Sequence, residues 1–260
     1  MPYVQRPYTT LYYELHSSAP ADAPALVLAH GAGGNTLIWW QQVPFFARTH
    51  RVLVFDHRGF GRSTCVPGHF HAREFAEDLR ALLDHAEIER AALVCQSMGG
   101  WTGLRAALAF PERVSALVLS GTPGGVFTPK VVEAFRAIGR VASSEGIRGS
   151  RALAPDFPER EPARAFLYDQ VAGLNAGLSP AALASLGEAR VTPAELALHR
   201  VPTLMLSGEH DYLFPPDVLK EAAAAIPGCR VVDFPGAGHS PYFEDASRFN
   251  RIVADFLQEA

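Results

Sequence analysis

The feature that most constrains this chain is a short apolar run that recurs and ends each time on small or polar residues. Ala25-Leu26-Val27-Leu28-Ala29 ends at His30-Gly31, Arg51-Val52-Leu53-Val54-Phe55 at Asp56, and Ala91-Ala92-Leu93-Val94-Cys95 at Gln96-Ser97. Ser115-Ala116-Leu117-Val118-Leu119 ends at Ser120-Gly121, Pro202-Thr203-Leu204-Met205-Leu206 at Ser207-Gly208, and Arg230-Val231-Val232-Asp233-Phe234 at Pro235-Gly236. Runs of this length with little polar alternation suit strands covered on both faces, as in a parallel sheet. An earlier segment, Thr10-Leu11-Tyr12-Tyr13-Glu14-Leu15, alternates in strand fashion.

Helical patterns separate the runs. Residues 70–86 place Phe75, Leu79, Leu82 and Leu83 on one face, and 98–110, 216–226 and 247–257 behave likewise. Strand–helix alternation predicts an α/β architecture with right-handed crossovers. The rhythm breaks between 123 and 196, which reads as helices alone, over 129–141, 162–173, 180–188 and 193–199. Each opens with a proline, the residue that suits a helix's first turn. The expected organisation is a core in two parts, 1–122 and 197–260, interrupted by a helical cap at 123–196.

Composition excludes several classes. Charged residues make up 19% and hydrophobic ones 48% of 260 residues, a globular balance far from disorder. The net charge is −4, and Lys130 and Lys220 are the sole lysines. No dense basic footprint for nucleic acid exists. Cys65, Cys95 and Cys229 are too few and too dispersed for a disulfide framework or zinc cluster. They read as reduced thiols of a cytoplasmic protein. The opening Met1-Pro2-Tyr3-Val4-Gln5-Arg6-Pro7 lacks a signal pattern, and no stretch has the roughly 18 apolar residues of a membrane span. The expectation is a protein with no nucleic-acid or membrane partner, a monomer or homodimer that acts on a small molecule.

The sharpest chemical signal is Val94-Cys95-Gln96-Ser97-Met98-Gly99-Gly100, which joins an apolar run to a helix. A nucleophile in a tight strand-to-helix turn needs small neighbours two residues away on each side. Gly99 and Cys95 occupy those places. Such a turn sets a hydroxyl at a helix N-terminus, where backbone N–H groups face a developing anion. A serine needs a base, and His239 sits on the Gly236-Ala237-Gly238-His239-Ser240 loop after the last run. The base needs a carboxylate to fix its tautomer. Asp211 of Gly208-Glu209-His210-Asp211 is the candidate, with Glu209 the nearby alternative. The loop His30-Gly31-Ala32-Gly33-Gly34-Asn35 fits neither dinucleotide nor Walker phosphate patterns. Its Ala32 N–H, with that of Met98, would make an oxyanion hole.

These pieces together resemble the α/β-hydrolase superfamily over nearly the whole chain. The resemblance rests on His30-Gly31-Ala32-Gly33-Gly34 with Trp39 downstream, Asp56-His57-Arg58-Gly59-Phe60-Gly61-Arg62-Ser63, the Ser97 turn, Gly208-Glu209-His210-Asp211, and Gly238-His239 with Glu244 following. It implies an eight-stranded, mostly parallel sheet flanked by helices, with the insertion as a cap. It implies Ser97 as nucleophile, His239 as base, Asp211 as acid, and Ala32 and Met98 as oxyanion donors. The turn 56–63 would be structural, with Arg58 bracing loops. Cys95 departs from the family's usual glycine, and as a small residue it should be tolerated beneath the turn.

Ser97, where epoxide- and halide-displacing relatives usually carry Asp, favours acyl transfer. Ser240 stands where C–C bond hydrolases often have Trp. Candidate pocket walls are Trp39, Trp40, Trp101, Phe127, Phe166, Tyr168, Leu213, Phe214 and Tyr242. Phe127, just past Gly121, is expected to be the cap residue nearest the reacting groups. The expected activity is hydrolysis of a small to medium, largely apolar ester or lactone through an acyl-enzyme, without cofactor or metal. A C–C bond hydrolase or lyase with the same residues, and a ligand-sensing receptor on the same fold, are the alternatives.

Overall fold

The computed structural model describes residues 2–145, 152–175 and 184–260, with backbone alone for 139–145. In chain order the elements are β1 (Tyr3–Arg6), β2 (Thr9–His16), β3 (Ala25–Ala29), α1 (Val43–Phe46), β4 (Arg51–Phe55), α2 (Phe75–His85), β5 (Ala91–Gln96), α3 (Gly99–Ala109) and β6 (Val114–Ser120). There follow α4 (Pro129–Glu145), α5 (Phe157–Arg160), α6 (Pro162–Gly173), α7 (Pro193–Leu196), β7 (Thr203–Gly208), α8 (Pro216–Ala224), β8 (Arg230–Phe234), α9 (Pro241–Glu244) and α10 (Ala246–Glu259).

The strands form one eight-stranded sheet in the order β1-β2-β4-β3-β5-β6-β7-β8. β1 and β2 are antiparallel and the rest parallel. Every residue of β3, β5 and β7 is buried, as expected of runs covered on both faces. The chain moves from β3 outward to β4 on one side and from β5 outward to β6 on the other. That reversal opens a crevice at the carboxyl ends of β3 and β5, where ligands of α/β sheets bind. Their register sets Ala29 beside Cys95, so His30-Gly31-Ala32 and Ser97 leave the sheet as neighbours.

The apolar periodicity misses β1, a four-residue edge strand with an exposed, buried, exposed, half-buried pattern. It also overextends one helix, since 70–86 contains a 3-10 turn at Ala72–Glu74 before α2 begins at Phe75. Of the expected 180–188 helix, 180–183 lie outside the described residues and Ala184–Gly187 form a 3-10 turn. The 193–199 expectation shortens to α7, where Thr192 and Glu195 close a reciprocal capping box.

The core divides into two apolar clusters. The first gathers Phe75, Leu79, Leu104 and Leu219 around α2, α3 and α8. The second gathers Trp39, Phe46, Phe249, Val253 and Phe256 around α1 and α10. The segment between β6 and β7 splits between them. Val126, Val131, Leu186, Val191 and Leu196 join the first, whereas Leu153, Ala154, Phe157, Ala165, Tyr168 and Val171 join the second.

The 56–63 turn is braced from below. Arg58 lays Nε and Nη2 on the two oxygens of Asp78, at 2.6 and 2.7 Å, with both side chains buried. Asp56 accepts from the Thr36 and Arg62 amides at 2.6 and 2.8 Å. Two carboxylates thus tie this turn to its surroundings through directional bonds.

No described helix is long and apolar enough to cross a membrane. Among the described residues, no cluster of His, Cys, Asp and Glu could hold a metal ion.

Candidate active site

Ser97 is the first residue beyond β5, and its φ of +48° lies in the left-handed region. A non-glycine residue there carries strain that the surroundings must hold. Its N–H donates to Ser120 O at 2.9 Å, and its carbonyl accepts from the Gly100 N–H at 2.9 Å. Gly99 allows this turn, because a Cβ there would collide with the Ala29 carbonyl. Cys95 fits by a different route. Its sulfur is packed against Gly103 of α3, where a Cβ would lie 2.5 Å from Sγ. Cys95 is fully buried in the core, and burial pushes its thiol pKa up. A thiol there is an inert packing group, so the small residue before the turn is accommodated by a missing side chain on the helix above it.

His239 and Asp211 meet at the next strand ends. His239 Nδ1 lies 2.9 Å from Asp211 Oδ2, and both side chains are almost wholly shielded from solvent. Asp211 Oδ1 accepts from the Leu213 and Phe214 amides at 2.9 Å each. A carboxylate held by two amides can only accept, so the assigned tautomer has the proton on Nδ1 and the lone pair on Nε2. That Nε2 is buried and has no hydrogen-bond partner. Glu209 is exposed and accepts from the Gly236 amide at 2.9 Å, so of the two carboxylates Asp211 alone reaches the imidazole.

Ser97 and His239 share a floor. Ser97 hangs from the Ser120 carbonyl, and a Cβ on the adjoining Gly121 would lie 3.1 Å from His239 Nδ1. Gly121 has a φ of +59°, which with this proximity restricts the position to glycine. Gln96 Nε2 also donates to the His239 carbonyl at 3.4 Å.

The loop after β3 is held by His30. Its Nδ1 donates to Gly31 O at 2.8 Å, and its Nε2 accepts from the His57 N–H at 2.9 Å. Complete burial pulls its pKa down, against the opposing pull of Asp56, so the ring acts here as a neutral brace. His57 is pushed well down by burial, by His30 and by Arg58, and its Nε2 contacts Thr102 Oγ1 at 2.8 Å. Among the described residues, neither the Ala32 nor the Met98 amide donates to a backbone acceptor. Gly31, just before Ala32, abuts the turn, since a Cβ there would lie 2.8 Å from Ser97 Cβ; Ala32 itself is exposed, and Met98 directly follows Ser97.

The expected pocket residues separate. Phe214 lies 6.1 Å from the His239 ring, with Leu213 half-buried beside it. Trp101 is buried and donates to Leu186 O at 3.0 Å. Trp39 is fully buried against Tyr242, with ring centres 4.7 Å apart. Tyr168 bonds Ser240 Oγ at 2.8 Å, and burial pushes its pKa up to about 12.

Trp40 and Phe166 do not belong with them. Trp40 follows the 3-10 turn Thr36–Trp39 and is 44% exposed. Phe166 is 67% exposed because α6 buries Ala165, Tyr168 and Val171, and position 166 falls on the opposite face. Phe127 is half-buried, with the Arg190 guanidinium 4.5 Å from its ring centre. It stacks on Phe135 at 5.2 Å, and Phe135 in turn meets Phe214 at 5.5 Å and Trp101 at 5.9 Å. Phe135, which apolar pattern alone could not rank above its neighbours, is the ring between the insertion and Phe214.

A family model described as alpha/beta hydrolase fold matches residues 24–140 and 127–246. The chain is 30% identical to a protein of Pseudomonas savastanoi pv. phaseolicola named "Putative carbamate hydrolase RutD", over 95% of this chain and 98% of that protein. It is also 30% identical to 3-oxoadipate enol-lactonase 2 of Acinetobacter baylyi, over 74% of this chain and 73% of that one. The crystal structure of the enol-lactonase from Burkholderia xenovorans LB400 superposes with a TM-score of 0.82 at 29% identity, covering 99% of this chain and 100% of that one.

Proposed function

We propose that this chain, which belongs to the α/β-hydrolase fold family, is a serine hydrolase of small to medium, largely apolar carboxylic esters or lactones. Supporting the hydrolase reading are relatives named for carbamate and enol-lactone hydrolysis. The observation that carries the rest is a strained Ser97 held on the Ser120-Gly121 floor together with a buried His239 whose Nδ1 is engaged by Asp211 and whose Nε2 is unpartnered.

In this reading Ser97 Oγ attacks the carbonyl carbon while His239 Nε2 takes its proton. Asp211 stabilises the imidazolium without itself becoming protonated. The tetrahedral oxyanion is met by the Ala32 and Met98 amides. Collapse expels the alcohol or opens the lactone, with His239 returning the proton to the leaving oxygen. Water then enters by the same base and frees the acid, restoring Ser97. The rings of Trp101, Phe135 and Phe214 supply the apolar wall. Every group on this route belongs to the chain itself.

The test is turnover on a panel of acyl esters, lactones, carbamates and β-diketones. Esters and lactones should be preferred, and Ser97→Ala should lower kcat by about 10⁴-fold or more with the fold intact. Preference for a diketone, or full activity in Ser97→Ala, would overturn the reading.

A further inference from the structure

Glu244 is buried, lies beyond His239 in α9, and takes no part in the route above. Its Oε1 accepts from the Gly238 amide at 2.9 Å and the Ser240 amide at 3.4 Å, the two residues flanking His239. Its Oε2 accepts from the Ala154 amide at 2.7 Å, on the segment between β6 and β7. One carboxylate thus spans the histidine loop and the insertion. Burial pushes the Glu244 pKa up, and the three amides that converge on its oxygens pull against that by favouring the carboxylate, which accepts only.

Independent contacts join the same two pieces. Gly238 is flush against the insertion, since a Cβ there would lie 2.5 Å from the Leu153 carbonyl carbon. Arg164 of α6 donates to the Phe243 and Glu244 carbonyls at 3.2 and 3.4 Å. Tyr168 of α6 bonds Ser240 Oγ at 2.8 Å, and its ring sits 4.9 Å from that of Phe243. Residues 153–168 therefore meet 238–244 on both sides of His239, by close packing at Gly238 before it and by directional bonds to Ser240, Phe243 and Glu244 after it.

We infer that Glu244 is a positioning residue for His239, linking the placement of the base to that of the insertion through the amides of Gly238, Ser240 and Ala154. The inference rests on the proposed role of His239. A substrate that shifts residues 153–168 then shifts the base with them. Charge alone is not the device: Glu244 touches no substrate in this account and acts through the histidine loop.

The test is Glu244→Gln, which keeps the length but replaces one acceptor oxygen with a donor. We expect kcat per active site, counted by fluorophosphonate titration, to fall about 10- to 100-fold with KM within threefold. We also expect the low-field proton resonance of the His239–Asp211 hydrogen bond to shift or broaden. Tyr168→Phe removes only the hydroxyl tie and should lower kcat about 3- to 10-fold with the same small change in KM. It carries the test if Glu244→Gln does not fold. Unchanged kcat per site and an unchanged resonance would overturn the positioning role. Ser97→Ala, assayed alongside, separates the two readings: if it is inactive while the folded Glu244 and Tyr168 variants are normal, only the positioning role fails. If it is active, both fall.

Discussion

The segment between β6 and β7 meets the core in two ways. Residues 126–135 and 184–196 rest on α3 and α8 through rings and aliphatic chains, Phe135 against Trp101 and Phe214 with Val131, Leu186 and Leu196 behind them, and through bonds of Trp101 to Leu186, Arg105 to Arg190 and Glu195, and Lys130 to Asp217. Residues 153–168 instead hold 238–244 through hydrogen bonds from Ala154, Arg164 and Tyr168. Apolar contact is non-directional and survives small displacement. Hydrogen bonds fail within tenths of an ångström or tens of degrees. On the proposed reading, the apolar half, whose Phe135 ring meets Phe214, can vary with substrate shape, and the polar half, bonded to 240–244, keeps His239 in place.

The largest effect should come from the carboxylate that bonds His239. Asp211→Asn presents an amide to His239 and favours the wrong tautomer, so kcat should fall about 10³- to 10⁴-fold. Glu209→Gln should do little, because that side chain is exposed and caps Gly236. Kinetics on purified, folded variants decide it, and the reverse ranking would move the acid to Glu209.

Gly238→Ala should come next. Its Cβ has no room beside Leu153 and Ala154. Overpacking of this kind costs about 1–3 kcal/mol of stability, and the strain falls next to His239. Denaturant melts should show that loss together with a lower kcat and little change in KM. A variant that loses stability yet keeps its kcat would separate the insertion from the base and break the comparison.

On the apolar side the signature should invert. Phe135→Ala should alter preference between neighbouring acyl or alcohol lengths by about 1–3 kcal/mol in kcat/KM. Turnover of the smallest ester should stay within a few fold. A uniform fall in kcat for all chain lengths would place Phe135 with the polar half.

The smallest effect concerns α7. Hydrogen bonding from the Thr192 amide, then the Arg105 ion pair and the Thr192 hydroxyl, brings the Glu195 pKa down to about 2. A depressed acid stabilises the fold above its ordinary value of 4.5, and the contribution disappears as pH falls toward about 2. Glu195→Gln should therefore cost about 0.5–1 kcal/mol at pH 7, as caps and solvent-facing ion pairs do. The gap from the parent should narrow in denaturant titrations between pH 4.5 and 3. A gap independent of pH would show that shape, not charge, sets the cap.

What the sequence made legible followed from local rules. Strands buried on both faces announce themselves as apolar runs, and the groups that leave such runs stand at the carboxyl edge of the sheet. Ser97, Asp211 and His239 were singled out as candidates that way, and the structure sets His239 against Asp211. β1 escaped because four residues at a sheet edge carry almost no pattern. Phe166 was misplaced, although the phase of Ala165, Tyr168 and Val171 on α6 already pointed it outward. Glu244 was visible as a residue but its link to the insertion was not, because that partner is a backbone amide 90 residues away. Main-chain donors leave no trace in residue type. Phe135 was equally hidden, since which of several rings stands between two layers depends on how the layers meet.

The central claim is that Ser97 is the group that attacks substrate. Incubation with a fluorophosphonate, followed by peptide mapping by mass spectrometry, tests it most directly. The account predicts a single adduct on Ser97, absent in Ser97→Ala and formed far more slowly in His239→Gln. An adduct on another residue, or labelling at Ser97 that proceeds undiminished without His239, would contradict it.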